Sequence, residues 1–134
     1  MKTKKIPWMV CSAGQSNDII FMDFPDHLKV DLTSAREIVA RRLEFTKNKK
    51  HYLVMDVSNV RQVSPEAKEF MQRPEAGLKN ILGAALIASN PVSSLIANIF
   101  IKTPKNFEAR FFSNKQLAME WIYAHRQRLT NIVL

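Results

Sequence analysis

The only thiol in this 134-residue chain is Cys11. A lone cysteine cannot close an internal disulfide, and it leaves no cysteine-based zinc site. Cys11 falls in an expected strand with no base or helix start beside it to activate it, so it reads as a small buried hydrophobe. Glycine is equally scarce: Gly14, Gly77 and Gly83 are scattered, and no phosphate-cradling loop can be built from them. No apolar run approaches the ~18 residues of a membrane span. His27, His51 and His125 lie in a loop, at a strand start and near a helix end, without the His-x-x-x-His spacing of a metal site, and read as surface or structural residues. Nucleophile elbows and paired-carboxylate motifs are missing too. Neither a catalytic centre nor a cofactor is expected.

What is present is an ordinary globular composition, 46% apolar and 24% charged. The length predicts one domain over residues 1–134, able to bury on the order of two-thirds of its unfolded surface. Lys2 to Lys5 followed by Ile6-Pro7-Trp8-Met9-Val10 imitates the start of a signal peptide. The apolar run is short, contains a proline and gives way to polar Ser12 to Asn17, so a strand and turn are expected instead. A reduced, cytoplasmic protein follows.

Twenty Lys and Arg against twelve Asp and Glu give a net charge of +8, which attracts polyanions unselectively. Arg41, Arg42, Lys47, Lys49 and Lys50 gather at one expected helix end, and Arg126 and Arg128 at another, where cations favour the helix dipole and a solvated face. Phe107, Phe111, Phe112 and Trp121 follow strand or helix periodicity and are assigned to the core rather than to a base-stacking platform. Nucleic-acid binding beyond unspecific charge attraction is therefore not expected.

Hydrophobic spacing lays out the elements. Trp8–Cys11 and Asp18–Phe24 read as strands hairpinned across the Gly14 turn. Ser34 and Glu37 have capping-box spacing ahead of a helix burying Ala35, Ile38, Val39 and Leu43, with Arg36, Arg41 and Arg42 on the outer side. His51–Val57 and Gly83–Ser89 read as inner strands covered on both faces. Ser64 caps a helix opening at Pro65, where a missing N–H is harmless. Val92–Lys102 forms a helix apolar almost all round, and Phe107–Phe112 a strand. Ser113 and Gln116 repeat the capping-box spacing before a last helix burying Leu117, Ala118, Trp121 and Ile122. Alternating strands and about four helices predict an α/β domain with one mixed sheet, its inner strands mostly parallel.

The segment Leu53-Val54-Met55-Asp56-Val57-Ser58-Asn59-Val60-Arg61-Gln62-Val63-Ser64-Pro65-Glu66-Ala67 resembles the strand–loop–helix signature of STAS domains, the anti-sigma-factor antagonist family. There an apolar strand ends in Asp-x-Ser-x-Val and runs through a short loop into a helix. Ala84–Ser89, the helix after Pro91, and Phe111-Phe112-Ser113 before Ala118–Trp121 also resemble the STAS-like group often placed with CRAL-TRIO lipid-transfer folds. The resemblance spans about Ile19 to Ile122, and implies a STAS-like architecture with a regulatory, protein-binding role in bacteria. It lays Pro65 on the phosphoacceptor position and Ser64 on one that is usually acidic. Proline has no hydroxyl, so the phosphorylation switch is not carried over, and modification of Ser58 or Ser64 stays open.

Two candidate surfaces follow. Asp56, Ser58, Asn59, Ser64 and Asn90 cluster in sequence at the carboxyl ends of the inner strands, where open α/β sheets place ligands. Tight-turn chemistry accounts for the same residue types. Val92, Leu95, Ile96, Ile99 and Phe100 make a helix too apolar to stand alone, predicting a homodimer, or a groove for a lipid or other small apolar ligand as the CRAL-TRIO resemblance implies.

Overall fold

A computed structural model describes residues 10–13 and 18–133 of the chain. In order, the elements are β1 Val10–Ala13, β2 Ile19–Asp23, β3 Leu28–Val30, α1 Leu32–Phe45, β4 His51–Asp56, β5 Val60–Val63, α2 Pro65–Met71, β6 Ile81–Ile87, α3 Pro91–Lys102, β7 Glu108–Phe112 and α4 Lys115–Val133. Five strands form one sheet in the order β1-β2-β4-β6-β7, with β1 antiparallel to β2 and every other neighbour pair parallel. This is the expected mixed α/β sheet. Lys2 to Lys5, Trp8 and the Gly14 turn lie outside the described residues, as does the Cys11 side chain.

Period-2 alternation divides the strands between two cores. Ile20, Met22, Leu53, Met55, Ala84 and Leu86 face Ile38, Val39, Ala67, Ile96 and Ala97 from α1, α2 and α3. Ile19, Tyr52, Val54, Ala85 and Ile87 face Ala118 and Ile122 of α4, the helix that covers the other side. Because β4 and β6 are covered on both faces, their sequences are continuously apolar, as read. Each fully buried large side chain contributes about 1.5–3 kcal/mol.

Several expectations are corrected. β3 and β5 were not anticipated; they pair in parallel as a separate two-stranded sheet, Val30 opposite Val63. With three and four residues they are too short to carry a period. The cap of α1 is Asp31 rather than Ser34: its Oδ1 accepts the Ser34 N–H at 2.8 Å, which places Ser34 within the first turn. At α4, Asn114 Oδ1 accepts the Leu117 N–H at 2.9 Å, taking the role assigned to Ser113. Leu117 and Phe111 are exposed, not core.

The largest departure is Arg42, placed on a solvated face by its charge but only 1% exposed. Its Nη1 donates to Lys79 O, and its Nη2 to Ala76 O and Gly77 O. The guanidinium fork satisfies carbonyls of the α2–β6 connection that no helix or sheet pairs.

Candidate functional site

At the carboxyl ends of β4 and β6 the structure brings Asp56, Ser58 and Asn90 together. Asp56 Oδ1 accepts the Ser58 N–H at 2.9 Å, an Asx turn that bends the chain away from β4. Ser58 Oγ then accepts the Ser89 N–H at 3.1 Å, and Asn90 Nδ2 donates to Ser58 O at 2.8 Å. Asn90 is also the cap of α3, its Oδ1 accepting the Ser93 N–H at 2.9 Å while Ser93 Oγ receives the Asn90 N–H at 3.2 Å. The β4–β5 turn and the start of α3 are thus one bonded unit, and the amino end of α3 is held in place.

Asn59 and Ser64 do not join this unit. Asn59 Nδ2 donates to Phe24 O, fastening the turn to the β2–β3 link. Ser64 stands beyond β5 and caps α2 as read, its Oγ accepting the Ala67 N–H at 3.1 Å, with Pro65 in the first turn. Of the five residues, each therefore has a turn, cap or tether role. Asp56 Oδ1, the Ser58 Oγ lone pair and both ends of the Asn90 amide are used in bonds within the unit or to the start of α3, and the arrangement offers shape more than chemistry.

Beside this unit α3 presents an apolar face. Leu95 is 70% exposed and Val92 41%, whereas Ile96 is 8% exposed and belongs to the intramolecular core. Ile99 and Phe100 are half-buried, Phe100 packing on the same core. Ile96 and Phe100 are thus turned inward, and Val92 and Leu95 carry the outer face. β7 adds Phe111, 39% exposed. Phe111 is in register with Leu86, whose side chain lies in the α3-side core, so Phe111 shares that face of the sheet. β7 is the last strand of its sheet, with one edge unpaired within the described residues. From its pattern alone Phe111 belongs to the core, because an outermost strand looks like an inner one until its neighbours are known.

The histidines take structural places. His27 is exposed in a turn at φ 59°. His51 is 1% exposed and bonded to Arg42. His125 is buried, stacked on Trp121 at 4.9 Å, with Nδ1 3.2 Å from Glu108 Oε1 and Nε2 packed against Gly83 without a hydrogen-bond partner. Among the described residues no three His, Cys, Asp or Glu side chains converge as a metal site would need. Among the same residues, no helix is long and apolar enough to cross a membrane.

Residues 14–126 match the model of a family described as a domain of unknown function, DUF7793. None of the curated proteins matches the sequence. A solved structure from Shewanella loihica PV-4, described as an uncharacterized protein of the DUF3478 family with a SpoIIAA-like fold, superposes with a TM-score of 0.60 at 17% identity, covering 91% of this chain and 99% of that one. At that identity the likeness concerns fold alone. The fold is SpoIIAA-like, the STAS architecture whose strand–loop–helix signature the Leu53–Ala67 segment resembles.

Proposed function

We propose that this chain, which belongs to the DUF7793 family of domains of unknown function, is a non-enzymatic STAS-like interaction module that self-associates through α3 and the β7 edge. The observation carrying this reading is the exposure of Leu95 and Val92 on α3, with Phe111 exposed on the α3 side of the edge strand β7, beside an α3 amino terminus fixed by Asn90 and Ser58. A rigid apolar face is what an interface core needs, since little order has to be imposed on binding. An isologous two-fold pairing would cover it with the same face of a second copy.

The reading also carries a regulatory consequence. Pro65 occupies the position where the resembling family modifies a hydroxyl, so control would act on association at the Ser58–Asn90 unit or through a protein partner, not on Pro65. Binding free energy would come from the apolar contacts, and Ser58, Ser89 and Asn90 would form the polar rim.

Light scattering with native mass spectrometry tests this directly. The wild type should run at twice the chain mass, and Leu95→Lys should run as a monomer with unchanged circular dichroism. A wild type already monomeric at tens of micromolar would remove self-association from the reading.

A further inference from the structure

At the amino-terminal ends of the parallel strands, the opposite end from the Ser58–Asn90 unit, lies a cleft of about 580 Å³. That is within the roughly 300–1,000 Å³ range of small-molecule sites. Lys50 stands just before β4, Leu82 is in β6, Phe107 precedes β7 and Leu129 comes from α4. The lining includes two lysines, Lys50 and Lys105, and no carboxylate. A smaller apolar cavity of about 50 Å³ shares Leu78, Ile81, Lys105 and Phe107 with it and continues inward past Met71 and Phe100. We propose that this cleft binds an amphipathic anion of fatty-acid type, its carboxylate paired with Lys50 and its acyl chain lying over Leu78, Ile81 and Phe107 toward the inner cavity.

Three observations support the assignment. First, the sign of charge is one-sided: an apolar slot whose charged lining is wholly cationic complements an anionic head on an apolar tail, and neither a cation nor a neutral sugar.

Second, one wall is held in place before any ligand arrives. Asn80 and Asn48 both adopt left-handed backbone, at φ 65° and 59°. Asn80 Nδ2 donates to Asn48 O and Asn48 Oδ1 at 3.1 and 2.8 Å, and Asn80 O accepts the His51 N–H at 2.9 Å. Arg42 fixes the carbonyls of Ala76, Gly77 and Lys79 just upstream. A wall already ordered costs little to order again on binding.

Third, Lys105 places a positive charge where the two cavities meet. Its Nζ donates to Phe100 O, Ile101 O and Thr103 O at 2.9, 2.9 and 2.6 Å, closing the carboxyl end of α3. With three N–H groups so directed, Lys105 contributes field rather than a bond to a ligand, and exposed Lys50 at the rim is the group placed to meet the head. Burial pushes the Lys105 ammonium below its ordinary pKa, and a nearby anion would favour its charged form. This inference does not rest on self-association, because the two surfaces lie at opposite ends of the strands.

Amide NMR titration of the full chain with dodecanoate, dodecyl phosphate and dodecyl maltoside, each below micelle formation, decides the matter. Dodecanoate should give saturable one-to-one shifts at Leu78, Ile81, Leu82 and Phe107. Lys50→Glu should weaken dodecanoate about three-fold, as for an exposed charge pair, and leave the neutral maltoside unchanged. Asn106→Trp, at an exposed lining position, should abolish the shifts while the thermal midpoint stays put. Dodecyl phosphate binding as well as dodecanoate would mean that charge is read, and binding better would make the head a phosphate; both keep the anion site. Absence of saturable shifts, shifts centred elsewhere, or maltoside binding equal to dodecanoate would overturn it. So would co-sedimentation with phosphatidylglycerol vesicles without any response to the monomeric amphiphiles, which would assign the lysines to a bilayer surface.

Discussion

Arg42 Nη1 and His51 Nε2 lie 2.9 Å apart, and each residue is 1% exposed. His51 Nδ1 is 2.9 Å from Lys49 O, so the ring proton sits on Nδ1 and Nε2 accepts from the guanidinium. Together they join the last turn of α1, the first residue of β4 and the α2–β6 connection. An imidazolium could not accept from Arg42, so the pair holds together only with a neutral ring.

Stability should therefore fall in mild acid. Burial, with Arg42 adding to it, brings His51 down from 6.5 to about 4 in the folded state. The unfolded chain takes up its proton first, so the contribution is complete above pH 6.5, is lost as pH falls from there toward 4, and levels off below. The loss is on the order of 3 kcal/mol. Urea unfolding at pH 7, 5.5 and 4 measures it, and His51→Asn, which keeps an acceptor but cannot titrate, should flatten the slope over that interval.

Arg42→Met should cost about 3–5 kcal/mol, because Gly77 O and Lys79 O would lose their donor, while Ala76 O would keep only the Lys79 N–H. Arg42→Lys should recover only a minor part, since one ammonium cannot span the fork. Urea midpoints of the two variants beside wild type decide this; equal midpoints for lysine and arginine would show that charge rather than geometry matters.

A methyl group at Gly83 would meet His125 Cδ2 at 2.6 Å and Nε2 at 2.9 Å. His125 is pinned against Trp121, so Gly83→Ala should destabilise by about 1–3 kcal/mol through overpacking. Adding His125→Ala should cost less in this background than in wild type, and a double-mutant cycle reads that coupling.

The residues at the carboxyl ends of the strands should rank by how many elements they join. Ser64→Ala removes one cap bond and should cost about 1 kcal/mol. Asn90→Ala removes the α3 cap together with the bond to Ser58 O and should cost about 2 kcal/mol. Thermal unfolding of the two variants provides the comparison; a larger loss at Ser64 would contradict the ranking.

Legibility followed the length scale of each interaction. β4 and β6 were readable because burial on both faces leaves an unbroken apolar run, and α2 because Ser64-Pro65 is a strictly local start signal. Caps shifted where two acceptors compete within a few residues, as with Asp31 against Ser34 and Asn114 against Ser113. β3 and β5 were hidden because each has meaning only once the other lies beside it. Arg42 left a faint trace: it sits four residues after Ile38 and three after Val39, on the apolar stripe of α1. A cation on that stripe signals a buried anchor when spacing is weighed above charge.

The amino-acid order alone determined the alternation of strands and helices, the doubly covered inner strands and the absence of a hydroxyl at Pro65, since these depend on residue identity and on neighbours a few positions away. Tertiary structure alone decided that Arg42 and His51 meet, that Asn59 turns from Asp56 toward Phe24, that Ile96 faces inward while Leu95 faces out, and that loops distant in sequence enclose a cationic cleft. Each of those outcomes requires segments tens of residues apart to be held at hydrogen-bond or van der Waals distance, and only the packing of the completed sheet and its helices fixes such distances.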